Sequence, residues 1–417
     1  MSAADDRNPL DGAVIAAQLK ALAAFTDVPG EMTRLTLSPS HKAAAAQVAD
    51  WFRAAGLDDV HMDGTGSIVG RYRSGRNDAR TLILGSHIDT VRNAGIYDGN
   101  LGVLVALAAI AALARAGRRL PVDLELVAFA DEEGVRFPST LSSSRARAGT
   151  FDPACLDEVD GAGITRRAAL EAFGAPVDTI PAAACDPART LGYVEVHIEQ
   201  GPVLEARDAP LGIVTGIAGS SRGRCGVQGQ AGHAGTLPMA MRQDALTAAA
   251  EMVLAVERRA ARDGAPDGLV ATVGVLDIPG AAVNVVAGTA SFSLDVRAGT
   301  DGTRAAAVAD IEQEIAAIAV RRGVAAELHW THAAPAAPCA ADLRARLGAA
   351  IQGLGLPVTA LPSGAGHDAM VFRGVAPMAM LFVRSVNGSH NPREFAAPAD
   401  IGLAARALHA FLLGLSQ

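Results

Sequence analysis

Residues 81–88 read TLILGSHI and residues 122–131 read VDLELVAFAD, and this pair decides the fold. The first is a short, almost wholly apolar run that reads as a buried strand. The second alternates polar and apolar residues early and then turns wholly apolar, which again reads as a strand. Between them, residues 98–116 have the length and apolar content of a helix. Asp98 and Gly99 stand at its start, where an acidic side chain suits the positive end of the dipole. Residues 193–200 (YVEVHIEQ) read as a further strand. Strands alternating with helices imply an α/β domain with a mostly parallel sheet and helices on both faces.

Further along, the texture changes. Residues 212–332 read strand, strand, helix (242–261), strand, strand, helix (303–322), strand, which fits a small inserted α+β domain with an antiparallel sheet. The Ala/Pro-rich residues 333–338 read as a linker back. Residues 1–211 and 333–417 are then expected to form the first domain, closed by a helix over 399–413.

Composition narrows the class. Of 417 residues half are hydrophobic and 19% charged, the net charge is -8, and no basic run occurs, which argues against a nucleic-acid or anionic-membrane surface. The N-terminal MSAADDRNPL lacks the layout of a secretory signal. The longest apolar stretch, residues 101–114, is closed by Arg115 and falls short of the roughly 20 residues that span a bilayer. It reads as a buried helix. Cys155, Cys185, Cys225 and Cys339 lie far apart without a CxxC, as structural thiols of a reducing cytoplasm do, and are not expected as ligands.

Three chemically loaded segments follow directly on strands: HIDT after TLILGS, DEEG after LVAFA, and HIEQG after GYVEV. Ligands of open α/β sheets bind at the carboxyl ends of strands, so these segments are expected to converge. Glu132 and Glu133 leave the sheet core together, and burying such charges unpaired would cost on the order of several kcal/mol. A metal or a matched cation is the natural compensation. His87, Asp98, His197 and His390, the last in the turn NGSHNP, add three imidazoles and a carboxylate. Imidazole and carboxylate without thiolate suit Zn²⁺, Mn²⁺, Co²⁺ or Ni²⁺. Five such groups exceed the three protein ligands of a usual catalytic zinc, and two ions sharing one carboxylate would use them all. Spacing alone leaves this and a set of unrelated structural residues equally open.

GSHIDTV, YDGNLGV, DEEGVRFP, HIEQGPVLE, GQAGHAGTLPM, NVVAGTASFSLDVR and SGAGHDAM occur in that order, with SHNP near the end. Over residues 18–413 the set resembles the M20 peptidase superfamily, and within it the hydantoinase/carbamoylase branch of amidases. That branch includes N-carbamoyl-L-amino-acid hydrolases, allantoate amidohydrolases and β-ureidopropionases. The resemblance implies that His87 and His197 hold one divalent ion, Glu133 and His390 the other, and that Asp98 bridges them. Asp89 matches the carboxylate that fixes a ligand imidazole, and Glu132 matches the general base. His233 and Asn284 are nominated to stabilise the oxyanion. His233 would reach into the active site of a partner subunit, so a homodimer is implied, with Asn284 and Arg297 as further candidates for that exchange. Arg297 fits a guanidinium clamp for a substrate carboxylate. Gln200, Gly364, Gly366 and His367 match the remaining substrate contacts, with a structural role as the alternative for His367.

The implied reaction is metal-dependent hydrolysis of a carbamoyl or ureido C–N bond, releasing ammonia and CO2 from N-carbamoyl-L-amino acids or allantoate. The competing readings are an M20 aminoacylase or dipeptidase and a metal-free ligand-binding descendant. Two departures from the family pattern stand out: Ala287 where a proline is common, and Ser143 where a glycine is common. The first is expected to change local stiffness, the second the loop near the metal site.

Overall fold

The computed structural model describes residues 8–262 and 266–416, so the N-terminal residues 1–7, read above for charge and signal layout, lie outside the described residues. Strands β1 (Asp58–Met62), β2 (Ile68–Tyr72), β3 (Thr81–His87), β4 (Asp123–Phe129), β5 (Thr190–Ile198), β6 (Leu211–Ile217) and β7 (Met378–Val383) lie side by side in the order β1-β2-β4-β3-β5-β7-β6. The central four, β4-β3-β5-β7, are parallel, while β1, β2 and β6 join antiparallel. This is the mostly parallel sheet that the alternation implies. Every residue of β3 and β4 after the first is buried, as strands covered on both faces must be.

Helices α1 (Gly12–Ala23), α2 (Pro39–Ala54), α3 (Asn100–Arg115), α4 (Ala341–Gly353) and α5 (Pro398–Leu413) complete this unit. Apolar nearly all round, α3 is buried over most of its length, where it lies on β3, β4 and β5 and under α1 and α5. The approach is close. A Cβ at Gly102 would come within 1.9 Å of the Val196 carbonyl oxygen, so only glycine allows helix and strand to meet there. On the opposite face the Tyr193 ring stacks on Phe372, 4.3 Å between centroids, and brings the short turn Asp368–Phe372 onto the sheet. Sequence placed Asp98 inside the start of α3; the helix begins at Asn100, and Asp98 precedes the cap and is free for other work.

The chain divides into two compact units. One runs through Thr215 and takes up Cys339–Leu361 and the chain from His367; the other is Gly216–Pro338 with Pro362–Gly366. In the second unit, strands Gly219–Gln228, Thr289–Ala298 and Ala325–Ala334 form an antiparallel sheet with Leu276–Asp277 at one edge. Alternate residues Ala290, Phe292, Leu294 and Val296 are buried in one core with residues of the helices Ala245–Ala261 and Asp301–Arg322. The first of these helices starts at Ala245 because Asp244 caps it, accepting from the amides of Leu246 and Thr247, three residues later than the apolar pattern suggested. The expected linker is also shorter than read: Ala333 and Ala334 still pair with Ser221 and Ser220, since alanine continues a strand as readily as it starts a loop.

Candidate active site

His87 ends β3, His197 is the penultimate residue of β5, and Glu132 and Glu133 follow β4 within four residues. Parallel strands in register therefore deliver all four to one edge of the sheet. The two imidazole centroids lie 5.7 Å apart. Asp98 comes in from the loop ahead of α3. A Cβ at Gly99 would sit 2.4 Å from the His87 ring, and its φ of 65° suits glycine alone, so this residue makes room for the imidazole beside Asp98.

The hydrogen bonds fix the tautomers. His87 Nδ1 lies 3.0 Å from the Asp89 carbonyl and His197 Nδ1 2.9 Å from the Ile198 carbonyl, so each Nδ1 carries the proton. Each Nε2 faces Asp98 Oδ1, at 3.6 Å and 3.1 Å. Two imidazole nitrogens converging on one buried carboxylate oxygen call for positive charge between them, from a proton or from a metal cation. The same need recurs beside them, where His390 Nε2 lies 3.5 Å from both Asp98 Oδ2 and Glu133 Oε2. Asp98 Oδ1, Glu133 Oε1 and His197 Nε2 are buried without a hydrogen-bond partner. Donor atoms of His87, Asp98 and His197 lie within 4.8 Å of one another, as do those of Asp98, Glu133 and His390, and of His87, Glu132 and Glu133. The residues present thus fit divalent cations, by geometry and by donor chemistry.

Electrostatics agree. Burial works against charge on both imidazoles, yet Asp89 and Asp98 raise His87 well above its usual range, and Asp98 raises His197. Burial would raise Asp98, but His197 and His87 outweigh it and hold the carboxyl well below the usual range. Glu132 and Glu133 are pushed well above theirs, first by burial, then by Glu133 acting on Glu132 and Asp98 acting on Glu133. Carboxylates that resist ionising and imidazoles that attract protons both mark a site short of positive charge.

Asp89 was expected to fix the His87 imidazole through its carboxylate. The backbone carbonyl makes the closer contact, and Asp89 Oδ1 stands at 3.5 Å. Its carboxylate does something else as well: Oδ1 accepts from the Glu132 amide at 3.1 Å and Oδ2 from the Glu133 amide at 3.2 Å. One side chain thereby ties the His87 loop to both glutamates. The glutamate loop is also held from below. The Ser143 hydroxyl accepts from the Asp131 amide at 3.2 Å, a bond that glycine there could not make. Buried Arg166 donates to the Asp131 carboxylate and to Ser142 Oγ.

Sequence reasoning missed several supporting residues. Glu394 accepts from the amides of Tyr97 at 2.9 Å and Asp98 at 3.1 Å and also meets Ser389 Oγ. Ser389 in turn donates to Asp98 Oδ2 at 2.5 Å. Ser389 has one proton for two carboxyl groups, and burial, then Asp98, pushes the pKa of Glu394 up to about 7. Glu195, on β5 beneath the site, accepts from Ser86 Oγ, Tyr193 Oη and the Ala369 amide. No motif marks these residues, but a glutamate inside an apolar strand such as YVEVHI is itself a signal that a buried partner exists.

Of the expected substrate contacts, Gln200 donates through Nε2 to Asp98 Oδ2 at 2.8 Å. His367 is buried, edge-on to His197 at 4.5 Å between centroids, and burial followed by the charge of His197 keeps its pKa well below the usual range. His233, Asn284, Arg297, Gly364 and Gly366 belong to the second unit. His233 pairs with Val285 in a short ladder, its Nδ1 accepting from the Gly235 amide, and the Asn284 carbonyl accepts from Ala234. Arg297 grips both oxygens of Asp295 at 2.9 Å and donates to the Gly364 carbonyl at 2.9 Å. Arg297 and Gly364 line a cavity of about 560 Å³ together with Arg222 and Thr272.

A parallel α/β sheet that gathers imidazoles and carboxylates at its strand ends, around positions that call for divalent cations, defines a metal-dependent hydrolase. The chain belongs to peptidase family M20/M25/M40, whose pattern matches residues 83–414. It is similar to allantoate deiminase 1 of Glycine max, with 36% identity over 96% of this chain and 89% of the other. Similarity to the N-carbamoyl-L-amino acid amidohydrolase of Geobacillus stearothermophilus is 36% over 93% of this chain and 94% of that one. Among solved structures, a hydantoinase/carbamoylase family amidase from Burkholderia multivorans superposes with a TM-score of 0.91 at 32% identity, covering 97% of this chain and 98% of its own.

Proposed function

We propose that the chain is an amidohydrolase that cleaves the carbamoyl or ureido C–N bond of a small carboxylate-bearing substrate, an N-carbamoyl-L-amino acid or allantoate. The observation that carries this reading is Glu132. It sits inside the cation-seeking cluster with its backbone tied by Asp89, and burial raises its carboxyl well above the usual range, which favours taking up a proton. The relatives named as an allantoate deiminase and an N-carbamoyl-L-amino acid amidohydrolase, alike over nearly the whole chain, support the substrate class.

His87, Asp98 and His197 would hold one divalent ion, and Glu133 and His390, with Asp98 shared, a second; Zn, Mn, Co and Ni are all suited. Such ions, when bound, polarise the ureido carbonyl and make a water easier to deprotonate. Glu132 takes a proton from the attacking water and returns one to the departing nitrogen. The C–N bond breaks, ammonia leaves, and the remaining carbamate loses CO2. Asp89 keeps Glu132 and Glu133 oriented throughout. His233 and Asn284, supplied by a second copy of the chain in a homodimer, donate to the oxyanion. Arg297 binds the substrate carboxylate, and Gln200, Gly364, Gly366 and His367 complete the pocket. The four cysteines are unbridged, which suits a cytoplasmic enzyme.

Ammonia release from a panel of N-carbamoyl-L-amino acids and allantoate, before and after chelation and with each metal added back, tests the reading. Activity on several ureido acids that disappears on chelation and returns with metal is the expected result. Full activity in the chelated protein would sink it.

A further inference from the structure

The two metal positions inferred above differ in one respect that the ligand set alone hides. At the first, Asp98 Oδ1 faces His87 and His197 with nothing bonded to it, and both imidazoles are fully enclosed, 2% and 1% exposed. At the second, the oxygen required is Asp98 Oδ2. A carboxylate oxygen offers two lone pairs, and Oδ2 already has two donors, Gln200 Nε2 at 2.8 Å and Ser389 Oγ at 2.5 Å. No lone pair is left for an ion, so one donor must leave before Asp98 can bridge.

Gln200 is the donor suited to leave. Ser389 is braced from behind by Glu394, whereas the other end of the Gln200 amide, Oε1, is buried without a hydrogen-bond partner. Its present position satisfies one end of the amide and strands the other. Its backbone sits at a φ of 63°, the left-handed region that few residues other than glycine adopt readily, two residues past the end of β5, where such strain serves a site. The second position is also the open one: the His390 side chain is 51% exposed.

We propose that Gln200 gates the second metal position: its amide holds the Asp98 oxygen that the second ion needs, and yields it when that ion loads. This rests on the two-ion reading of the site. Loading of the two positions is then sequential, the enclosed one first, and the same event frees the Gln200 amide to meet the substrate.

Calorimetric titration of the metal-stripped full-length protein with Mn²⁺ tests this in the wild type, Gln200→Ala and, as an independent route to the same oxygen, Ser389→Ala. Two resolved steps are expected in the wild type. Gln200→Ala should leave the first unchanged and tighten the second by roughly tenfold, the order of one hydrogen bond to a charged acceptor, and Ser389→Ala should shift the second step in the same direction. Two steps with the second unaltered or weakened in both variants would overturn the gate while sparing the two-ion reading. A single ion in all three proteins would overturn that reading and the gate with it. One ion in the wild type and two in Gln200→Ala would support the gate in its strongest form.

Discussion

Asp89→Asn is the sharpest test of how the site is held. The two carboxylate oxygens of Asp89 each accept one backbone amide, from Glu132 and from Glu133. Asparagine keeps one acceptor and turns an NH2 group toward the other amide, so one bond to a charged acceptor is lost and two donors meet. The lost bond is worth about 1.5–3 kcal/mol, and the stranded amide adds about 1–3 kcal/mol unless the loop moves. Movement of the loop past Asp131 displaces Glu132 and Glu133, the base and a ligand in the proposed reading, together. A second-sphere loss of this kind lowers metal affinity about 10–100-fold. Titration against a competing chelator, with urea unfolding of the metal-stripped protein alongside, measures both effects. If Asp89→Asn binds metal within twofold of the wild type and unfolds at the same midpoint, Asp89 does not hold the glutamates and the account of the site is wrong.

Glu132→Gln should lower kcat by about 10²–10⁴-fold while metal content stays the same, since the glutamine cannot take a proton but ligates nothing; steady-state kinetics with elemental analysis separates the two. Arg297→Ala should raise KM for carboxylate-bearing substrates far more than for neutral ureas, and equal effects on both would refute the clamp. Burial lowers the pKa of His41 to about 4, with its Nδ1 accepting from the Leu37 amide at 2.8 Å. The unfolded chain then binds a proton that the folded one refuses, so stability falls as pH drops from about 6.5 to about 4, by up to about 3 kcal/mol. Urea midpoints across that range should show a flatter slope in His41→Gln than in the wild type.

Much of this was legible in the sequence for a physical reason. His87, Glu132, Glu133 and His197 each stand where an apolar strand stops, and a parallel sheet carries such residues to one edge whatever the loops do. Asp98 was found by its motif but misplaced by half a turn, because helix-start patterns resolve a residue or two and not a cap such as Gly99. Glu394, Ser389 and Arg166 were not legible at all. The Asp98 amide and Glu394 are 296 residues apart and Arg166 and Asp131 are 35 apart, and a lone acid in a turn shows no periodicity that could point to them. Gln200 was seen as a substrate contact, and only its distance to Asp98 shows a second role.

The second unit begins at Gly216 and ends its long segment at Pro338, two residues paired with each other. This bears on how the chain reaches its folded state. The contact between β5 and β7 must close over the whole insertion, and loop-closure entropy penalises that separation. If Gly216–Pro338 folds first, its ends are already adjacent and the loop that remains is roughly threefold shorter. The saving is about 1 kcal/mol, small in equilibrium terms, yet it falls before the rate-limiting contacts form, where a slow, non-local topology gains most. His197, on β5, would then acquire its final surroundings late, after the insertion has drawn β7 alongside.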